Sequence, residues 1–256
     1  MYRIGVDLGG TNIAVGVINE ELKIVGRGKV KTKCPRPAEE IFDDIAVAIE
    51  LAVKDAGISM DEVVSVGVGT PGSAVTLGTG VGSGIIIGGK IVNGVNYAAG
   101  EMGHMVIVVD GEQCTCGRRG CWEQYASATA LISQTKDAMR HDHDSAMWQL
   151  VNDNIDNVNG RTAFDAMRLD DRTAKAVVDK YIYYVAAGVI NIINALQPDI
   201  ICIGGGISHE GETLLRPLRR HVNRERYSIY AARQTQIVAA ELGNDAGIYG
   251  ASLLNE

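Results

Sequence analysis

Ile4-Gly-Val-Asp-Leu-Gly-Gly-Thr-Asn12 runs as an apolar strand to an acidic residue and then turns on two glycines. Apolar residues resume from Ile13 to Ile18 and again from Ile24 to Val30, so the pattern predicts three consecutive strands joined by tight turns. A strand–turn–strand tip of this kind aims free backbone N–H groups at one spot, where they cradle phosphate oxygens while Asp7 holds a hydrated Mg²⁺. A plain hairpin turn explains one Gly-Gly-Thr equally well. Two more glycine loops at strand ends, Gly78-Thr-Gly-Val-Gly-Ser-Gly84 and Gly204-Gly-Gly206, shift the balance toward phosphate, because packing alone hardly requires three.

Outward from this opening, Pro37 begins a segment in which Ile41, Ile45, Ile49 and Val53 recur every four residues up to Gly57, the signature of an amphipathic helix. Val63 to Val68 reads as a buried strand leading into Gly69-Thr-Pro-Gly72. Strand, glycine loop and hairpin then recur from Ala74 to Val92, a weak internal repeat of topology. Ser127 to Arg140 reads as a helix and His141 to Gly160 as a polar loop. A long apolar segment from Arg172 to Leu196 stops at Pro198, a strand follows at Asp199 to Ile203, and Glu212 to Arg226 is helical. A strand at Gln236 to Glu241 and a helix from Ala246 close an α/β chain.

Two fingerprints are decoys. Gly67-x-Gly69-x-x-Gly72 lacks the helix that receives a pyrophosphate, and Gly84-x4-Gly89-Lys90 carries Ile91 where a P-loop needs Ser or Thr. With 31 acidic and 24 basic residues the formal charge is −7, and no basic cluster follows one face, which argues against nucleic-acid or anionic-membrane binding. The start shows no signal-peptide pattern, so a cytoplasmic protein with reduced thiols is expected.

Three of the five cysteines fall within eight positions, in Cys114-Thr-Cys116-Gly-Arg-Arg-Gly-Cys121-Trp-Glu123, with Gly100-Glu-Met-Gly-His104 just upstream. Three thiolates and one imidazole favour a closed tetrahedral zinc site. The alternatives are a disulfide, strained if between Cys114 and Cys116, or three small core residues. Cys34 in a Pro-rich loop and Cys202 in an apolar strand read as ordinary residues. His141-Asp-His143-Asp reads as a solvated loop, and Arg216, Arg219, Arg220, Arg224 and Arg226 as a solvated helical face or an oligomer contact.

These motifs together resemble the ROK sugar kinases over nearly the whole chain, and Cys121-Trp-Glu-Gln-Tyr-Ala-Ser127 is most similar to bacterial glucokinases. The resemblance implies an actin-like, ribonuclease H-like ATPase fold of two domains, 1–73 and 74–256, around an interdomain cleft. It implies structural Zn²⁺ on His104, Cys114, Cys116 and Cys121, and a hexose held by Glu101, His104 and Glu123, whose carboxylates accept hydrogen bonds from vicinal hydroxyls. Asp7, Gly9, Gly10 and Thr11 would face the phosphates of ATP and its Mg²⁺, joined by Thr79 and Gly80, with Gly204, Gly205 and Gly206 on the adenosine side. A homodimer or tetramer is implied as well.

One departure matters for function. In the family a long segment after the Thr70-Pro71-Gly72 turn carries an Asn-Asp-Ala-Asn motif whose Asp is the general base, whereas here Ser73 runs directly into Ala74-Val-Thr-Leu77. No residue of this chain evidently replaces that base, so the catalytic residue is unknown, and the first domain is expected to be incomplete with a bare strand edge or helix face. The leading expectation is phosphorylation of glucose by ATP, with weak or no turnover. The competing one is an inactive sugar- or nucleotide-binding protein. The family's sugar-responsive repressors are disfavoured, since no helix-turn-helix precedes Tyr2.

Overall fold

The computed structural model describes every residue except 9–11, 33–36, 70–74, 89, 246–247, 250–251 and 253–256. Two compact units emerge, Met1–Ser73 with Leu242–Glu256, and Ala74–Glu241. The second unit therefore ends earlier than the expected 74–256, because the last residues fold back on the first unit. Arg27 donates to both carboxylate oxygens of Asp245 at 2.6 and 2.7 Å, and this hydrogen-bonded partner holds the Asp245 carboxyl below its ordinary value. Ile248 is buried as well, with its carbonyl against Gly5.

In the first unit β1 (Tyr2–Leu8), β2 (Asn12–Ile18) and β3 (Ile24–Lys31) form the expected antiparallel meander. Helix α1 (Ala38–Ala56) is closed by Gly57 in the left-handed region at φ 67°, where its N–H reaches the Lys54 carbonyl. β4 (Val63–Gly69) then pairs parallel to β1, giving the order β3-β2-β1-β4. Ile45, Ala48, Ala52 and Val53 of α1 bury Ile4, Val6, Val15 and Val17. The helix comes down close to β3: a Cβ on Gly28 would lie 1.9 Å from the Ala48 carbonyl oxygen.

That placement leaves one end of the face uncovered. Val66 pairs with Ile4 and so shares the helix-facing side, yet Val66 is 40% and Val64 55% exposed. Phe42, Val47 and Leu51 on α1 are exposed too. The strand expected to be buried is thus an edge strand with an open apolar side. Its period-2 pattern fits a covered sheet, but no described residue of this unit covers it.

The second unit contains β5 (Val75–Leu77), β6 (Val81–Ser83) and a small hairpin of β7 (Ile86–Ile87) and β8 (Lys90–Ile91). Next come α2 (Glu123–Ala126), α3 (Ala128–His141), α4 (Met147–Leu150), α5 (Thr162–Met167) and α6 (Arg172–Leu196). β9 (Ile200–Gly204), α7 (Glu212–Glu225) and β10 (Gln236–Ala239) complete a sheet ordered β10-β9-β5-β6. Asp171 caps α6 by accepting the Ala174 N–H at 2.7 Å. By length and apolarity α6 passes for a membrane span, but Val177, Tyr181, Val185, Val189 and Ile193 bury it in the core. The expected polar loop at 141–160 is partly ordered: α4 inserts Met147 into the core, and the Trp148 indole donates to the carbonyls of Met139 and Asp142. Too few apolar residues punctuate that stretch to give a periodic signal.

Candidate functional site

His104 ends a short 3₁₀ turn, Met102–His104, whose position is set from β6. Ser83 accepts the Met102 N–H at 3.1 Å and donates to the Gly100 carbonyl. The chain then loops through Cys114 to Cys121, with Gly117 and Gly120 at φ 90° and 78°, a curl that a side chain would strain. The result gathers His104, Cys114, Cys116 and Cys121 so that their donor atoms all lie within 4.8 Å of one another. Cys114 Sγ is 3.6 Å from His104 Nδ1, and Cys116 Sγ is 3.6 Å from Cys121 Sγ. Donors around zinc at about 2.3 Å for sulfur and 2.0–2.1 Å for nitrogen stand about 3.5–3.8 Å apart at the corners of a tetrahedron. These two edges fit, and the three thiols are free rather than bridged.

The thiols are poised unequally. Burial pushes Cys121 up to about 12, whereas a backbone hydrogen bond at Arg118 draws Cys116 down. A thiolate at Cys121 therefore needs a cation beside it.

Glu123, two residues past the last cysteine, turns back over this cluster. Its Oε1 accepts from Cys114 Sγ at 3.4 Å and lies 3.8 Å from His104 Nδ1, while Oε2 accepts the Val81 N–H at 3.3 Å. The Gly80 backbone lies close beneath this carboxylate: a Cβ there would sit 2.4 Å from Oε2 and displace it. Glu123, Thr79 and Gly80 line one cavity of about 850 Å³ with Gln134, Lys180 and Tyr184. A carboxylate from the cysteine motif and a glycine loop thus open onto the same space. Glu101 stands exposed at the start of the 3₁₀ turn, one turn from His104.

Cys121 and Glu123 are held in register by the residue between them. Trp122 is fully buried, its indole N–H donates to the Tyr184 carbonyl at 2.8 Å, and its ring lies against Gly188 of α6. A Cβ on Gly188 would be 2.0 Å from the ring. We therefore expect Gly188→Ala to destabilise the protein by about 1–3 kcal/mol through overpacking. Trp122→Ala is expected to cost about 3–5 kcal/mol. Urea denaturation followed by circular dichroism checks both; an unchanged midpoint for Gly188→Ala would show that the helix slides to make room.

β5 and β9 are parallel neighbours, so the loops leaving their C-terminal ends, with Thr79 and Gly80 on one and Gly204 to Gly206 on the other, leave the same edge of the sheet. Thr129 donates to the Thr79 carbonyl at 2.8 Å and steadies the first loop. In the first unit Asp7 stands at the end of β1, where burial raises its carboxyl and Oδ1 has no hydrogen-bond partner. An orphaned, partly buried carboxylate oxygen suits a cation. Gly9, Gly10 and Thr11 lie outside the described residues, as does Cys34.

Ser83, Thr129, Trp122 and the cavity wall of Gln134, Lys180 and Tyr184 were not foreseen. Only Ser83, inside a glycine loop, carries a sequence signal of its own.

Comparison with known proteins identifies the family. The profile of the ROK family matches residues 3–74 and 73–256, in two stretches that meet at the expected gap. A glucokinase of Halalkalibacterium halodurans is 29% identical over 314 residues, covering 99% of this chain and 94% of its own length. A chain of 256 residues leaves at least 58 of those 314 positions unmatched. A glucokinase of Streptomyces coelicolor is 31% identical over 313 residues, covering 97% of this chain and 96% of its own. Among solved structures, a ROK family glucokinase from Streptomyces griseus in complex with glucose and AMPPNP superposes with a TM-score of 0.87 at 31% identity, covering 98% of both chains.

Proposed function

The chain belongs to the ROK family, and from that premise we propose that it is an ATP-dependent hexose kinase of glucokinase type, acting on glucose. The observation that supports this most is the convergence of Glu123 with Thr79 and Gly80 on one cavity beside the cysteine cluster. A carboxylate that accepts from neutral hydroxyls meets a glycine loop that suits phosphate. In this reading Glu101, His104 and Glu123 orient the sugar. Thr79 and Gly80, with Asp7, Gly9, Gly10 and Thr11, hold the phosphates and Mg²⁺, and Gly204 to Gly206 lie along the adenosine. Bound MgATP supplies the phosphoryl group and the charge neutralisation its transfer needs. His104, Cys114, Cys116 and Cys121 hold Zn²⁺ in a closed structural site, leaving Nε2 of His104 for the sugar. We place the protein in the cytoplasm, as a homo-oligomer in the first step of glucose use.

Isothermal titration with glucose tests the sugar site. Glu123→Ala should weaken binding roughly 10- to 100-fold, the equivalent of one hydrogen bond to a charged group of about 1.5–3 kcal/mol. Unchanged affinity in a folded variant would remove Glu123 from the sugar.

A second reading has its own observation. The two matched stretches meet at residues 73–74, where the resemblance implies a base-bearing segment, and the open side of β4 is what the loss of a neighbouring element would leave. The chain then binds sugar or nucleotide without transferring phosphate. Glucose binding without ADP release distinguishes this from the active kinase.

A further inference from the structure

Arg226 departs from the solvated arginine face that its sequence neighbours suggest. It caps the C-terminal end of α7 and is only 8% exposed. Its Nε has no hydrogen-bond partner. Its sequence neighbour Glu225 is paired with Arg224. A guanidinium stays charged in a protein, so burial cannot be relieved by losing the proton. A buried cation with an unpaired donor calls for a negative partner.

The surroundings supply room for one. Arg226 lines a cavity of about 440 Å³ with Arg219, Asn223, Gln234, Thr235 and Gln236, and no carboxylate is among the lining residues. Arg219 is fixed at its wall, donating from Nε to the Ile237 carbonyl at 2.9 Å. The volume far exceeds the roughly 30 Å³ share of one water and falls in the range of small-molecule sites. The cavity adjoins the start of β10, which is parallel to β9, so it lies at the opposite end of these strands from Gly204 to Gly206. It is separate from the glycine loops.

We propose that this cavity is a second binding site, for an oxyanion of the phosphate class, with Arg226 as its principal donor. The planar guanidinium suits phosphoryl oxygens in a fork that a point charge does not reproduce.

The test observes Arg226 directly. In ¹H–¹⁵N spectra of the full chain, its Nε–H resonance is followed during titration with inorganic phosphate, with glucose 6-phosphate, and with potassium chloride at matched ionic strength. A saturable shift with either phosphate compound but not with chloride is expected. Tighter binding of the sugar phosphate identifies a phosphorylated small molecule as the ligand, and equal affinities identify inorganic phosphate. Arg226→Met, which keeps the apolar stem, should weaken binding on the order of tenfold or more, and Arg226→Lys should restore part of it. If Arg226→Met does not fold, the wild-type spectra decide alone. A resonance that responds no more to phosphate than to chloride overturns the proposal, as does a folded Arg226→Met variant with unchanged affinity.

Discussion

Given MgATP and glucose, the chain releases ADP roughly 10²- to 10⁴-fold more slowly than a relative carrying the missing segment, or not at all, which is the usual worth of a positioned general base. A sugar hydroxyl is a poor nucleophile at neutral pH, and transfer requires that it be oriented and relieved of its proton as the new bond forms. His104 and Glu123 do not fill that role well, since His104 Nδ1 belongs to the cysteine cluster and Glu123 is held by the Val81 N–H and Cys114. The fold records the same loss independently. Val64 and Val66 on β4 and Phe42 on α1 stay exposed on one side of the first sheet, where a further element would bury them at about 25 cal/mol per Å². Inserting a relative's segment between Ser73 and Ala74 should therefore restore turnover and raise the denaturation midpoint together. Turnover by the unaltered chain at the rate of its complete relatives would mean that another group accepts the proton, and the incomplete-domain argument for function would fail.

The donor set of the cluster is legible in the sequence because cysteine is scarce here and three lie within one short loop with glycines at its bends. The meander β1 to β3 and helix α1 are equally legible, being long and strongly periodic. What escapes the sequence depends on contacts between distant segments. The return of Leu242 to Glu256 onto the first unit rests on the pairing of Arg27 with Asp245, more than two hundred residues apart. The burial of Arg226 escapes as well, since helical periodicity ranks positions within α7 and this residue lies just past its end. Trp122 looks like any core aromatic until Gly188 is found beneath it. Exposure of β4 is the instructive case: its alternation is that of a covered strand, the segment absent after Ser73 predicts a bare edge or face, and the structure shows which residues lie open, Val64 and Val66.

Removing the metal from the cysteine cluster should abolish glucose binding, because in the proposed site zinc is what holds His104 and Glu123 in register. Dialysis against a chelator, or Cys121→Ser, is expected to reduce one bound zinc per chain to none by elemental analysis. Trp122, adjacent to Cys121 and fully buried, should then shift its emission to the red as the loop loosens. The effect is large because apparent zinc affinities in small domains amount to about 10–16 kcal/mol, far more than any single hydrogen bond of the loop. In the proposed site four protein donors would leave no open coordination position, so the metal would shape the pocket without taking part in the transfer. The pH dependence has a definite sign. Cys121, pushed up to about 12 by burial when no cation is beside it, must lose its proton to bind, so metal affinity rises with pH and binding releases protons into the buffer. A metal-free chain that still binds glucose with unchanged affinity would separate the cluster from the sugar pocket. Glu123 would then owe its position to the protein's own contacts, the Val81 N–H and the buried Trp122 beside it.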